Sequence, residues 1–98
     1  MNRALILEEP VLAPDGAGGM MRGWRALGTL WAAIGAGAVR EVDGVARVAL
    51  KVTVRAAPVG APSRPVAGQR FREGERILRI IAVTEGERVL ICHVEDAV

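Results

Sequence analysis

The sequence predicts a mainly β protein, a small β-barrel or sandwich with long loops and little or no helix. Three observations carry that expectation. Arg47–Arg55 reads Arg-Val-Ala-Leu-Lys-Val-Thr-Val-Arg, with Val48, Leu50, Val52 and Val54 on one parity and Arg47, Ala49, Lys51, Thr53 and Arg55 on the other. Successive strand side chains point to opposite faces, so this alternation describes one apolar face and one wet, basic face. Arg76–Val83 and Arg88–Glu95 are apolar runs separated by Thr84-Glu85-Gly86-Glu87, the pattern of a hairpin. Glycine and proline break the remaining segments at short intervals, which favours strands and turns over helices.

Ninety-eight residues make one domain, residues 1–98, with no room for a second core. Trp24, Trp31 and Phe71 are the only aromatic residues, so the core is expected to be thin and rich in Val, Ile and Leu. No apolar run approaches the ~20 residues of a membrane helix. Met1–Glu9 lacks the charged start, apolar run and cleavage site of a signal peptide, so none is expected. Cys92 is the single cysteine, which rules out an intrachain disulfide and fits a small core residue. The formal net charge is +2, and Lys51 is the only lysine among 13 basic residues. Acidic residues are interspersed with the arginines, so no charged tail forms.

In chain order, Arg3–Leu12 reads as a short strand ended by Pro10 or Pro14, and Pro14-Asp15-Gly16 is a turn that Ala17-Gly18-Gly19 extends. Trp24–Ala36 fits helical spacing and alternation equally. Its glycines, each costing ~1 kcal/mol in a helix interior, favour a strand bent or bulged at Gly28. Ala38–Asp43 reads as a polar connection and Asp43-Gly44 as a turn, so the strands on either side should pair antiparallel. Pro58, Pro62 and Pro65, with Gly60 and Gly68, make Ala56–Gly68 an extended loop, functional or mobile. Gln69–Gly74 is a polar stretch with Phe71 as its one anchor. Ile77, Leu78, Ile80, Ile81 and Val83 are apolar on both parities, which suits a central strand.

Catalysis is poorly provisioned. Ser63 and His93 would have to form any Ser-His pair, and Ser63 lacks a nucleophile-elbow pattern. His93 and Cys92 are adjacent on a strand and point apart, so they do not share a metal, and the ligand spacing of a zinc site is missing. The glycines of Gly16–Gly19 are not followed by the Gly-Lys-Ser/Thr of a phosphate loop. No enzyme activity, cofactor or metal is expected. Small β-barrels also serve as nucleic-acid-binding modules, and Arg47, Lys51 and Arg55 offer a basic stripe, but stacking rings are scarce. That module is the alternative reading.

Four features together resemble the head–tail joining proteins of long-tailed bacteriophages and gene transfer agents, the head completion or stopper family. They are the Asp15-Gly16 loop before Trp24, the strand Thr29-Leu30-Trp31-Ala32-Ala33-Ile34, the strand end Val52-Thr53-Val54-Arg55, and Gln69-Arg70-Phe71 followed by Arg76–Val83. The series runs from Asp15 to Glu95. Ile77-Leu78 departs from it where an aromatic is common, and the loop here carries three prolines.

The resemblance implies a non-enzymatic virion protein at the head–tail junction, assembled in the bacterial cytoplasm. It implies a homo-oligomeric ring, a hexamer rather than a dodecamer, that closes the DNA channel and docks the tail. Its partners would be portal and adaptor proteins on the head side and tail terminator or tail tube proteins on the other. Non-specific contact with packaged double-stranded DNA would accompany them. In that setting Arg64, Arg70 and Arg72 are the candidate DNA, lumen or interface residues, and Arg47, Lys51 and Arg55 the candidate subunit interface.

Overall fold

The computed structural model describes residues 1–96. It contains six strands: β1 (Arg3–Pro14), β2 (Met20–Val42), β3 (Val45–Arg55), β4 (Arg70–Glu73), β5 (Arg76–Glu85) and β6 (Val89–Asp96). They form a closed barrel in the order β1-β2-β3-β6-β5-β4, every neighbouring pair antiparallel. The architecture is two three-stranded meanders, β1–β3 and β4–β6, joined along two seams, β3 to β6 and β4 to β1. No helix occurs among the described residues.

Alternation builds the core. Leu5 and Leu7, Ala32, Val52 and Val54, Phe71, Leu78 and Ile80, and Leu90, Cys92 and Val94 point inward and are fully buried. Phe71 sits opposite Leu7 on one side and Leu78 on the other, so the closing strand gives the core one large side chain. Gln69–Gly74, expected to be a polar stretch, is therefore mostly β4. Its arginines alternate around Phe71 and face outward.

Bulges explain the ambiguous patterns. The β1–β2 register shifts so that Leu7 opposes Gly28 and Glu8 opposes Ala26, leaving Leu27 as the extra residue. Gly28 has φ 150°, a conformation that a side chain disfavours, so the strand bends where glycine allows it. On β5 the shift lies between Ile80 and Ala82. Ile80 is buried, Ile81 is expelled to 49% exposure, and Val83 returns to face Cys92. This accounts for apolar residues on both parities, and β5 is flanked by β4 and β6 as a central strand.

Two expectations change and one open choice is decided. Ala38–Asp43 is not a polar connection. β2 continues to Val42 and pairs with β3 up to Val42–Val45, with only Asp43 (φ 52°) and Gly44 (φ 75°) in the turn. Of the two ends expected for β1, Pro10 or Pro14, the strand takes Pro14. β4 pairs only with Ile6–Glu8, so the prolines lie where β1 has a partner on one side only and a missing N–H is tolerated. Finally, only part of the alternating face of β3 is core. Val52 and Val54 are buried, but Val48 is 52% exposed. The barrel ends at the Ala49–Glu95 pair, and beyond it β3 pairs with β2 alone among the described residues. Two ribbons thus project from the barrel, 10–14 with 20–24 and 37–42 with 45–48.

The proline-rich segment crosses from β3 to β4 and is pinned down. Pro65 is buried, and Gly68 and Ile80 donate to Ile80 and Gln69 carbonyls at 3.1 and 3.0 Å. Truncating the closing side chain tests the fold. Phe71→Ala is expected to cost about 3–5 kcal/mol, read as a lower denaturation midpoint with an unchanged slope.

Candidate functional site

A closed barrel hides its apolar face, so any site lies on the outer wall or on the ribbons. One row of paired residues circles that wall: Ala49, Glu95, Arg79, Arg70, Glu8 and Ala26 oppose one another from β3 round to β2. Its carboxylates, Glu8 and Glu95, are almost fully buried. Arg70 donates to Glu8 at 2.7 Å and Arg72 at 3.1 Å, while Arg40 from the β2–β3 ribbon pairs with Glu95. Trp24 lies over the Arg70 guanidinium, 4.1 Å from ring centroid to carbon. Burial of a carboxylate is tolerated because guanidinium donors satisfy its oxygens, and none of the described buried polar side-chain atoms lacks a partner.

The six residues singled out from the sequence fall into two groups. Arg64 anchors its loop, donating to the Ala57 carbonyl at 2.8 Å and to Glu85 at 3.0 Å. Arg70 and Arg72 are engaged by Glu8, with Arg72 the more exposed. Arg47, Lys51 and Arg55 are exposed along β3, and none has an ion-pair partner among the described residues. The structure does not gather all six into one patch.

Trp31 is the residue that sequence reasoning passed over. Its neighbour Ala32 is paired with Val54 in the core, so Trp31 points outward beside Arg55 and is 62% exposed. The two line a cavity of about 710 Å³ with Met1, Leu30, Ala56 and Ser63. The signal was present: alternation puts Trp31 on the parity opposite Ala32. Glu8 and Glu95 carried no such signal, because their partners come from strands distant in sequence.

Among the described residues no group of His, Cys, Asp and Glu is placed to hold a metal. Ser63 lines the Trp31 cavity, whereas His93 bonds Thr84 Oγ1 at 3.1 Å, so the two do not form a pair. Burial pushes the Cys92 thiol up to about 12, which makes it a poor nucleophile.

Two measurements check these assignments. Glu8→Gln should cost about 1–3 kcal/mol in denaturant unfolding, because two guanidiniums lose a charged acceptor. Cys92 should resist maleimide at neutral pH until the chain is unfolded. Since the folded thiol ionises above the unfolded one, its contribution to stability is complete below the unfolded value. It falls as pH rises from there toward about 12.

Comparison with known proteins accords with this surface. A chain in the solved structure described as "Virion of native gene transfer agent (GTA) particle" is 48% identical, with a TM-score of 0.80 over 99% of this chain and 96% of that one. Comparison with curated proteins found no match. The model of the phage head completion protein family matches residues 1–96. That match spans both meanders, both ribbons and the pinned loop, and the chain belongs to the phage head completion protein family.

Proposed function

We propose that this chain is a stopper of the head–tail interface, a structural protein that closes the DNA channel after packaging and presents a docking surface for the tail. The observation that carries the reading is the match to a virion chain over the full length, including both projecting ribbons. The ribbons support it physically. A two-stranded ribbon alone is marginal in water, and these expose Leu12, Met20, Met21, Val39, Val45 and Val48. Such surfaces gain most from being covered in an assembly.

The proposed assembly is a homo-oligomeric ring, hexameric rather than dodecameric, with portal or adaptor proteins on one side and tail terminator or tail tube proteins on the other. Arg47, Lys51 and Arg55, exposed on β3 with no ion-pair partner among the described residues, are proposed to meet neighbouring subunits. Arg64, Arg70 and Arg72 are proposed to hold loop and strand in place, with Arg72 left to touch DNA or an acidic neighbour. Contact with DNA would be independent of sequence and weakened by salt. The site of action is the head–tail junction of the particle, reached by assembly in the bacterial cytoplasm.

Particles produced without this chain should accumulate as untailed heads that lose DNA. Wild-type protein supplied in trans should restore tailed particles. Electron microscopy and nuclease protection read both effects. Tailed particles that retain DNA in the absence of the chain would sink the reading.

A further inference from the structure

The ring reading leaves open which surfaces meet, and two unpartnered faces of this chain complement each other. The first is the wall around Trp31. On β2, Ala33 and Gly35 oppose Thr53 and Lys51 of β3, so small residues surround the ring and the two cations Lys51 and Arg55. All three large side chains are exposed, and no carboxylate pairs with either cation among the described residues. The face is apolar at its centre and positive at its rim.

The second is the Val39–Val48 side of the β2–β3 ribbon, beyond the end of the barrel. Val39 opposes Val48 and Glu41 opposes Ala46, so these four share a face. Arg40 and Arg47 share the other, from which Arg40 reaches back to Glu95 on the barrel. The Val39 side continues the inward parity of β3 past the barrel's end, where Ala46 and Val48 border an open cavity of about 540 Å³ with Arg76, Arg79 and Asp96. Val39 is 68% and Val48 52% exposed, and Glu41 and Asp43 have no ion-pair partner among the described residues. This face is apolar at its centre and negative at its tip.

We infer that the exposed Val39–Val48 face of the β2–β3 ribbon, with Glu41 and Asp43 at its tip, docks against Trp31, Lys51 and Arg55 of a second copy. The inference rests on the ring reading and supplies its contact. Two different faces of one chain can make a heterologous contact that propagates head to tail, and it forms the ring when the rotation between copies closes. Trp and Arg are the residues that most often dominate interface energy, and free charges of opposite sign fix the register. Lone copies keep both faces wet, so assembly is coupled to concentration at the neck.

Cysteine pairing in assembled particles tests the contact. Particles carrying Asp43→Cys with Arg55→Cys, treated with a short bismaleimide, should give a ladder of dimers and higher multimers on denaturing gels. Either single variant should give none, and buried Cys92 stays out of the reaction. Lys51→Glu with Arg55→Glu, and separately Glu41→Lys with Asp43→Lys, should each lower incorporation into particles about tenfold or more. The four changes together should restore it. All four positions are exposed, so unchanged melting temperatures verify folding. A missing ladder, cross-links to another protein, or no rescue by the exchange overturns the inference. Native mass spectrometry of the complex released from particles separates the two readings. Several copies without a ladder overturn this contact and leave the ring, whereas a single copy overturns the ring itself.

Discussion

Everything in this molecule depends on closing the barrel through β4, a strand of four residues. A sheet of six strands left open between β1 and β4 would expose the edges of two meanders. β4 closes the gap with one large apolar side chain, Phe71, set between Leu7 and Leu78. On the opposite face its two arginines clamp Glu8. The inner contact supplies burial and the outer one supplies register, since a slip of one residue would put Phe71 in water and Arg70 in the core. Glu8 cannot leave its place without stranding a buried carboxylate, and the guanidiniums hold it at the seam.

Closure also explains why the rest of the chain is so exposed. β2 is 23 residues long, yet the barrel uses only its middle. Before Ala26 the paired stretch of β1 has no β4 beside it, and after Ala36 β3 soon runs past its last described pair with β6, so the ends of β2 leave the wall as ribbons. The register shift between Ala36 and Val39 turns the second ribbon. Gly37 permits this, because a Cβ there would lie 2.7 Å from the Ala49 carbonyl oxygen. Arg40 then ties the turned ribbon to Glu95. One buried carboxylate holds β4 to β1, and the other holds the ribbon to the barrel's far rim.

Much of this was legible from local pattern. The alternation in Arg47–Arg55 located β3 and its two faces, the turn residues located the hairpins, and Gly28 located the bend. What escaped has a common physical cause. Val48 has the same alternation as Val52, and only the end of β6 at Asp96 decides that one is outside the barrel and the other inside. Phe71 in a run of charges looks like a loop anchor until Leu7 and Leu78 arrive from distant sequence. Arg64 looks like a free loop cation until Glu85 and the Ala57 carbonyl are brought beside it. Pairing sets burial here, and pairing is non-local.

The outer wall carries the same lesson into function. Of the cations that composition counts alike, Arg3, Arg25, Arg40, Arg64, Arg70, Arg72 and Arg76 are each held by a carboxylate. A net charge of +2 therefore says little about partners. Along β3, Arg47, Lys51 and Arg55 have no carboxylate partner among the described residues. Their freedom follows from β2, which sets glycine and alanine opposite Lys51 and Thr53 where an acidic residue would have neutralised the face. The barrel satisfies the charges on its seams and leaves a basic stripe beside an exposed tryptophan. Neither feature is buried in the barrel core.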